Sequence, residues 1–237
     1  MRTHTAGTSA LQGTGRPVSV SPPPGTATGH VVLLGDSIFD NKAYVGGGPD
    51  VLVQLHEGLG PGWKATLLAL DGDVISGVLR QLEALPGDAT HVVVSAGGND
   101  ALGFADLLQR PARSVTEVLD MLADAQERFS VDYESMAEAL SRTGLPSAVC
   151  TIYDTPPSGP GHRTIRTALA VFNDSITRAA FARGISLIDL RLICDEDGDY
   201  ANAIEPSVGG GAKIAQAIAA LIGSEHKAPR SAVIGRA

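Results

Sequence analysis

The feature that most constrains the fold is a set of five short runs that are apolar at nearly every position. They lie at 30–37, 63–72, 90–98, 147–154 and 185–190. Runs of this kind are typical of parallel β-strands that are covered on both faces. Amphipathic segments separate them, at 49–59, 74–85, 114–143, 163–182 and 211–222. Because right-handed crossovers place helices on both faces of such a sheet, the pattern predicts an α/β fold with a five-stranded, doubly wound parallel sheet.

The two ends of the chain differ in composition from its middle. Residues 1–29 are rich in Thr, Gly, Ser and Pro, and residues 224–237 are mostly polar. Segments of this composition bury too little apolar surface to offset the entropy of ordering the chain. We therefore expect a disordered leader over 1–29, one folded domain over 30–223, and a flexible tail over 224–237.

Charge and composition exclude several classes of partner. The formal net charge is -8 and the basic residues form no stripe, which argues against nucleic acid and against an anionic membrane surface. No apolar run reaches the roughly 18–20 residues of a membrane span, and the N-terminus lacks a secretory signal, so we expect a cytoplasmic protein. Cys150 and Cys194 are too few for a disulfide framework and have no neighbours at metal-ligand spacing. The sequence leaves the oligomeric state open.

Polar residues and glycines follow three successive strands of the predicted sheet. Ser37 follows the first strand, Gly72 the second and Asn99 the third. Each of them alone is an ordinary turn or helix-capping residue. In a doubly wound sheet, however, ligands bind beyond the carboxyl ends of the strands, where strand order reverses. The three residues are therefore expected to converge on one site.

Their chemistry matches the needs of acyl transfer, which requires a nucleophile and donors aimed at the developing oxyanion. The hydroxyl of Ser37 is the candidate nucleophile. Its own N–H, the N–H of Gly72 and the side-chain amide of Asn99 are the candidate donors. Nucleotide binding is disfavoured because both G-x-G-x-x-G and G-x-x-x-x-G-K-[ST] are missing from these turns. The sequence calls for no organic cofactor and no metal ion.

Three stretches resemble the first three conserved blocks of the SGNH, or GDSL-type, hydrolases. They read VVLLGDSIFD at 31–40, LLALDGDVISGVL at 67–79 and VVVSAGGND at 92–100. The resemblance extends over most of the expected folded domain and implies a three-layer α/β/α, flavodoxin-like fold. It also implies hydrolysis of esters, acetylated sugars, thioesters or lipids through an acyl-enzyme on Ser37, with Gly72 and Asn99 as oxyanion donors.

The last block of the family departs from the usual pattern at both of its catalytic positions. The family reads D-x-x-H-P-S, in which the Asp orients the His that acts as general base. Here the stretch is Asn202-Ala203-Ile204-Glu205-Pro206-Ser207. A carboxylate is about two pKa units less basic than an imidazole, worth roughly 3 kcal/mol, although burial raises its pKa. We expect Glu205 to act as the base, oriented by donation from the amide of Asn202.

Two alternatives to this base remain open. The chain is an inactive relative that binds a ligand, or His162, in the loop PPSGPGH, supplies the base in place of Glu205. Tyr44, Phe104 and Leu107 flank the site and are candidates to line an acyl pocket. The preferred hypothesis is a serine hydrolase that acts on a small ester or acetyl group, a small-molecule substrate.

Overall fold

The computed structural model describes residues 28–223. Most of the expected leader and all of the expected tail lie outside the described residues. Gly29, the last residue assigned to the leader, is the first residue of strand β1 and corrects that boundary. The folded domain therefore begins before residue 30.

Five parallel strands form a single sheet, as the apolar runs predict. They are β1 (Gly29–Gly35), β2 (Trp63–Leu67), β3 (His91–Ser95), β4 (Ser147–Cys150) and β5 (Ser186–Ile188). Their order in the sheet is β2-β1-β3-β4-β5, and every neighbouring pair is parallel. The predicted five-stranded parallel sheet is confirmed.

Helices cover both faces of the sheet and complete the three α/β/α layers. They are α1 (Val51–Gly58), α2 (Ile75–Glu83), α3 (Gly98–Leu102), α4 (Val115–Arg142), α5 (His162–Ala182) and α6 (Val208–Ile222). Helices α2, α4 and α5 pack on one face, and α1 and α6 pack on the other. Among residues 28–223, no helix combines the length and the apolarity needed to cross a membrane.

Strand β1 shows why a strand that is covered on both faces is apolar at successive positions. Val32 and Leu34 pack against the layer of α2, α4 and α5. Val31 and Leu33 pack against the opposite layer of α1 and α6. All four side chains are fully buried. Alternate residues of a strand point to opposite faces, so a strand covered on both sides must be apolar at every position.

Polar side chains fix where several helices begin. Asp50 accepts a hydrogen bond from the Val53 N–H at 2.8 Å, and Ser114 accepts one from the Glu117 N–H at 3.1 Å. Ser207 caps α6 by accepting from Gly209 and Gly210. Because of this cap, α6 starts at Val208, three residues before the predicted start at 211. The Ser207 hydroxyl satisfies donors that the first turn of a helix leaves unpaired.

The strand order reverses between β1 and β3, at the centre of the sheet. Chain order runs from β1 outward to β2 on one side, and then returns to β3 on the other side. The exits of β1 and β3 are therefore neighbours, and Gly35 pairs with Ser95 at their ends. This is the location at which doubly wound sheets bind ligands.

Candidate active site

Ser37 lies on a tight turn immediately beyond the end of β1. Gly35 has a φ of +126°, and a Cβ on this residue would overlap the backbone oxygen of Ser95. Only glycine fits this backbone conformation and this close approach. The next amide, Asp36 N, donates to Ser95 O at 3.1 Å and ties the turn to β3. The sequence Gly-Asp-Ser thus places Ser37 beside the exit of β3, with 4 % of its surface exposed.

Gln81, on α2, holds the same turn from the side of the helix and was missed by the sequence analysis. Its Oε1 accepts from the Gly35 N–H at 2.6 Å, and its Nε2 donates to Gly35 O at 2.9 Å. Nε2 also donates to the Asp73 carboxylate at 2.9 Å. A buried glutamine in line with Ile75 and Val78, on the core-facing stripe of α2, is the sequence signal that could have revealed it.

The three proposed oxyanion donors surround the exits of β1, β2 and β3. Within residues 28–223, neither the Ser37 N–H nor the Gly72 N–H is used in a hydrogen bond. Gly72 lies in the turn after β2 with a φ of +78°, and it is exposed. Asn99 lies in the first turn of α3, and its Nδ2 donates one hydrogen to Asp73 O at 2.8 Å. Within the described residues, the second Nδ2 hydrogen makes no hydrogen bond.

Asn99 is not a helix cap, which was one interpretation of it from the sequence. The expected helix after β3 begins near Ala101, which would make Asn99 a cap. In the structure α3 begins at Gly98, after Gly97 with a φ of +111°, so Asn99 is inside the helix. Its side chain is therefore not needed as a cap and instead contacts the turn that carries Asp73.

Glu205 lies in the loop before α6 and is largely buried, with 8 % of its surface exposed. Burial is the main cause that raises its pKa above the ordinary value of 4.5. The Ser37 hydroxyl lies close enough to act as a donor that lowers this pKa, and the charge of Asp71 raises it. The Oε2 atom of Glu205 is buried and has no hydrogen-bond partner among the described residues. The structure therefore brings Ser37 and Glu205 together.

Asn202 makes a contact different from the one expected of it. Its Oδ1 accepts from the N–H of Ile204 at 2.8 Å and from the N–H of Glu205 at 2.9 Å. Donation from its amide to the Glu205 carboxylate is not among the hydrogen bonds of residues 28–223. Asn202 is exposed and forms an Asx turn. It orients the backbone of Glu205 rather than its carboxylate.

Further residues hold the loop of Glu205 in place. The Tyr153 hydroxyl donates to the backbone oxygen of Ile204, and its ring packs edge-on against Tyr200 at a centroid distance of 5.2 Å. The fully buried Asn41 donates from Nδ2 to Pro206 O at 3.3 Å. These contacts join residues 51 and 165 positions apart, and no local sequence pattern predicts them.

Asp36, the neighbour of the nucleophile, is a buried carboxyl with 2 % of its surface exposed. Its pKa is raised to about 7, mainly by burial and also by the nearby charges of Glu205 and Asp100. A hydrogen bond from the Ile38 N–H to Oδ1 at 3.1 Å opposes this shift. A carboxyl that titrates near neutrality therefore adjoins Ser37.

His162, the alternative base, begins α5. Its Nδ1 contacts the backbone oxygen of Thr155 at 2.9 Å and the Thr155 hydroxyl at 3.2 Å. Both contacts join His162 to Thr155 in the loop after β4, and the hydrogen bonds of residues 28–223 include none between His162 and Ser37. In residues 28–223, no three His, Cys, Asp or Glu side chains are grouped to hold a metal ion.

A cavity of about 320 Å³ opens beside Ser37 and Asn99, which both line it. Most of the other lining side chains are apolar, and they include Phe104 and Leu107, which the sequence proposed for an acyl pocket. Tyr44, the third proposed lining residue, is not part of this wall. Its hydroxyl donates to the Asp71 carboxylate at 2.8 Å on the exposed side of the site.

Comparison with known proteins identifies a family whose sequence profile covers this site. The sequence profile of the GDSL-like Lipase/Acylhydrolase family matches residues 33–208, which include Ser37, Gly72, Asn99 and Glu205. None of the curated proteins matches the chain.

Several solved structures share the fold at low sequence identity. LAE5, an alpha/beta hydrolase enzyme from the metagenome of Lake Arreo, Spain, is 19% identical with a TM-score of 0.63, covering 83% of this chain and 96% of its own. The acetyl xylan esterase AlAXEase is 16% identical with a TM-score of 0.61, covering 81% and 99%. An extracellular lipase from Streptomyces rimosus is 19% identical with a TM-score of 0.58, covering 84% and 99%.

Proposed function

Because the chain belongs to the GDSL-like lipase/acylhydrolase family, we propose that it hydrolyses an ester through an acyl-enzyme on Ser37. One observation carries the proposal. The Ser37 hydroxyl lies beside the largely buried Glu205 carboxylate, while the N–H groups of Ser37 and Gly72, at the exits of β1 and β2, make no hydrogen bond within residues 28–223. This arrangement combines a nucleophile, a proton acceptor and an oxyanion site.

In the proposed acylation step, Oγ of Ser37 attacks the ester carbonyl carbon and transfers its proton to the Glu205 carboxylate. The carbonyl oxygen becomes an oxyanion that accepts hydrogen bonds from Ser37 N, Gly72 N and Asn99 Nδ2. When the tetrahedral intermediate collapses, the C–O bond to the alcohol breaks and Glu205 returns its proton to the leaving oxygen. Water then attacks the acyl-enzyme by the same sequence, with Glu205 again accepting the proton.

A carboxylate base differs from the usual imidazole in two ways. It is intrinsically a weaker base by about two pKa units, or roughly 3 kcal/mol. The burial of Glu205 raises its pKa and recovers part of this difference. It also becomes neutral on accepting the proton, so the transition state contains an oxyanion without an adjacent imidazolium. The oxyanion donors then carry most of the charge stabilisation.

Hydrolysis of p-nitrophenyl esters tests the assignment. We expect Ser37→Ala to abolish turnover and Glu205→Gln to lower kcat about 10²–10⁴-fold, the usual contribution of a general base. In the wild type, kcat/KM rises with pH as Glu205 loses its proton, because only the ionised form accepts one. Its raised pKa places this rise above pH 4.5. Kinetics from pH 4 to 9 measure both effects.

Two control variants show whether a loss of activity in Glu205→Gln is specific to Glu205. Asp71→Asn changes a neighbouring carboxylate, and His162→Ala removes the alternative base. Both should retain turnover within about fivefold of the wild type. A serine-reactive phosphonate should modify the wild type at Ser37, as detected by peptide mass spectrometry. Normal turnover in Ser37→Ala contradicts the hydrolase proposal, and selective loss in His162→Ala contradicts the role of Glu205.

A ligand-binding protein without hydrolytic activity is the second candidate. The contact made by Asn202 favours it, because Asn202 binds the loop backbone and leaves Oε2 of Glu205 without a partner. The double variant Asn202→Asp, Glu205→His restores the family's usual pair in this loop. If the wild type is inactive and this variant hydrolyses esters, the second candidate is correct.

A further inference from the structure

We propose that the cavity beside Ser37 binds the acyl group of the substrate, and that this group is a neutral aliphatic chain of roughly 6–10 carbons. This inference rests on the proposed function. Ala168 on α5 is the residue whose small side chain leaves room for this acyl chain. The proposed acyl chain is longer than an acetyl group, one of the two expectations from the sequence, which were a small ester or an acetyl group. The cavity, its lining and its position relative to the donors lead to this assignment.

The size of the cavity exceeds what an acetyl group needs. Its volume is about 320 Å³, at the lower end of the range of small-molecule sites. A methylene group occupies about the volume of a water molecule, roughly 30 Å³, so the space holds on the order of ten such groups. An acetyl group would leave most of the apolar wall uncovered.

The position of the cavity determines which part of the ester enters it. Ser37 and Asn99 line the cavity, whereas Gly72 and Glu205 do not. The carbonyl carbon must lie at Ser37, with its oxygen toward the donors and the leaving alcohol toward Glu205. The remaining substituent of the carbonyl carbon is the acyl chain, which is therefore directed into the cavity.

One face of α5 supplies a continuous part of the wall. Ile165, Ala168, Leu169 and Phe172 all line the cavity, and their spacing places them on a single stripe of the helix. Ala168 is the smallest member of this stripe, so the space next to it exists because its side chain is a methyl group. A larger side chain at this position would occupy the path of the chain.

Aromatic packing makes this wall firm. The rings of Phe104 and Phe172 stack at a centroid distance of 5.8 Å, and both line the cavity. Phe172 is backed by the buried Phe129 at 5.1 Å. Because close-packed aromatic side chains resist displacement, the wall bounds the chain rather than yielding to it.

The charges in the lining favour a neutral acyl group. The lining contains two acidic residues, Asp36 beside the nucleophile and Asp154. Among residues 28–223, no Lys or Arg lines the cavity. An acyl chain that ends in a carboxylate or a phosphate would meet no basic partner in this space. The cavity therefore suits a hydrocarbon chain rather than a dicarboxylic or phosphorylated acyl group.

A series of p-nitrophenyl esters from acetyl to dodecanoyl tests the proposal. Complete burial of a methylene is worth about fourfold, so the six methylenes that separate octanoyl from acetyl should raise kcat/KM about 10³–10⁴-fold, and the rise should level off or reverse beyond about ten carbons. Ala168→Phe should lower the octanoyl-to-acetyl ratio at least 30-fold. Phe104→Ala should move the optimum to longer chains.

Ala170→Phe is the matched control, because Ala170 is exposed on the same helix and does not line the cavity. Its octanoyl-to-acetyl ratio should stay within twofold of the wild type. A binding measurement in the Ser37→Ala background makes the test independent of turnover. Methyl octanoate should raise the Tm of this variant, methyl acetate should not, and adding Ala168→Phe should remove the effect.

The outcomes distinguish this proposal from the proposed function. A wild type that hydrolyses all chain lengths equally, or an Ala168→Phe variant with an unchanged ratio, overturns the acyl site while the hydrolase stands. Binding of methyl octanoate that depends on Ala168, with no ester cleaved by the wild type, supports the acyl site and overturns the hydrolase. If methyl octanoate leaves the Tm of Ser37→Ala unchanged, the acyl site is wrong.

Discussion

Asp36 shows how the position of one residue sets its chemistry. The backbone turn that exposes Ser37 to the cavity also places the preceding carboxyl under the site, where burial raises its pKa to about 7. In the unfolded chain the ordinary value is 3.8. Between these two pH values the folded protein keeps a proton that the unfolded chain has released, so stability falls as pH rises.

We expect Asp36→Asn to remove this pH dependence. Each pKa unit corresponds to about 1.4 kcal/mol, so the free energy of unfolding of the wild type should fall by roughly 4 kcal/mol between pH 4 and 7 through this group. An Asn keeps the acceptor for the Ile38 N–H but does not ionise. Urea unfolding at pH 4, 6 and 8 measures the difference. Equal slopes for both proteins would contradict the raised pKa of Asp36.

Part of the site could be predicted from the sequence, because the location of some functional residues follows from where the strands end. Ser37, Gly72 and Asn99 follow successive strands, and parallel strands bring their exits to one edge of the sheet. The contacts of Tyr153 and Asn41 with the loop before α6 depend instead on tertiary packing. The local pattern of the sequence contains no sign of such contacts.

Among the secondary-structure elements, helix α2 has two roles: it packs against the sheet, and it holds the turn that follows β1. Ile75 and Val78 bury its apolar face against the sheet, and Gln81 on the same stripe binds both polar atoms of the Gly35 peptide. The Gly35 C=O also accepts from Leu70 N at 3.0 Å, whereas the Gly35 N–H has Gln81 Oε1 as its partner. Helix α2 therefore supplies the hydrogen bond that this donor needs at the end of β1.

We expect Gln81→Leu to lower both stability and activity. Leaving the buried N–H of Gly35 without a partner costs about 1–3 kcal/mol, while its C=O keeps the hydrogen bond from Leu70 N at 3.0 Å. The turn also loses a constraint, so kcat should fall about tenfold or more while KM changes little. Thermal unfolding and ester kinetics measure the two effects.

Gln126→Leu provides the comparison for this variant. Gln126 on α4 donates to Val171 O on α5 at 2.9 Å, so its loss also removes a tertiary hydrogen bond. This bond joins two helices away from the β1 turn, and kcat should stay within twofold of the wild type. An equal loss of kcat in both variants would show that Gln81 acts only through stability.

Elements with a clear apolar pattern were predicted accurately, and an element without one was not. The five strands follow from continuous apolar runs, and the long helices α4 and α5 follow from apolar periodicity over many residues. Helix α3 has five residues and begins after a glycine with positive φ, so neither its length nor its start has a periodic signal. Elements of this length are specified by tertiary contacts, here around the exit of β3.

For the whole molecule, the two apolar layers share a single sheet. Ile176 belongs to the layer of α2, α4 and α5, and Ile214 belongs to the layer of α1 and α6. Both are fully buried, and strands β1, β3, β4 and β5 each contribute apolar side chains to both layers. Loss of packing on one side therefore removes support from strands that the other side requires.

We expect the described domain to unfold as one cooperative unit. Ile176→Ala and Ile214→Ala should each cost about 2–5 kcal/mol and lower the Tm by roughly 4–20 °C. Trp63, the one tryptophan of the chain, lies on edge strand β2 and packs against the layer that contains Ile214. If folding is cooperative, Ile176→Ala shifts the Trp63 fluorescence transition as far as the far-UV circular dichroism transition, although it lies in the opposite layer. Separate transitions by the two probes would instead show that the layers unfold independently and that the sheet does not couple them.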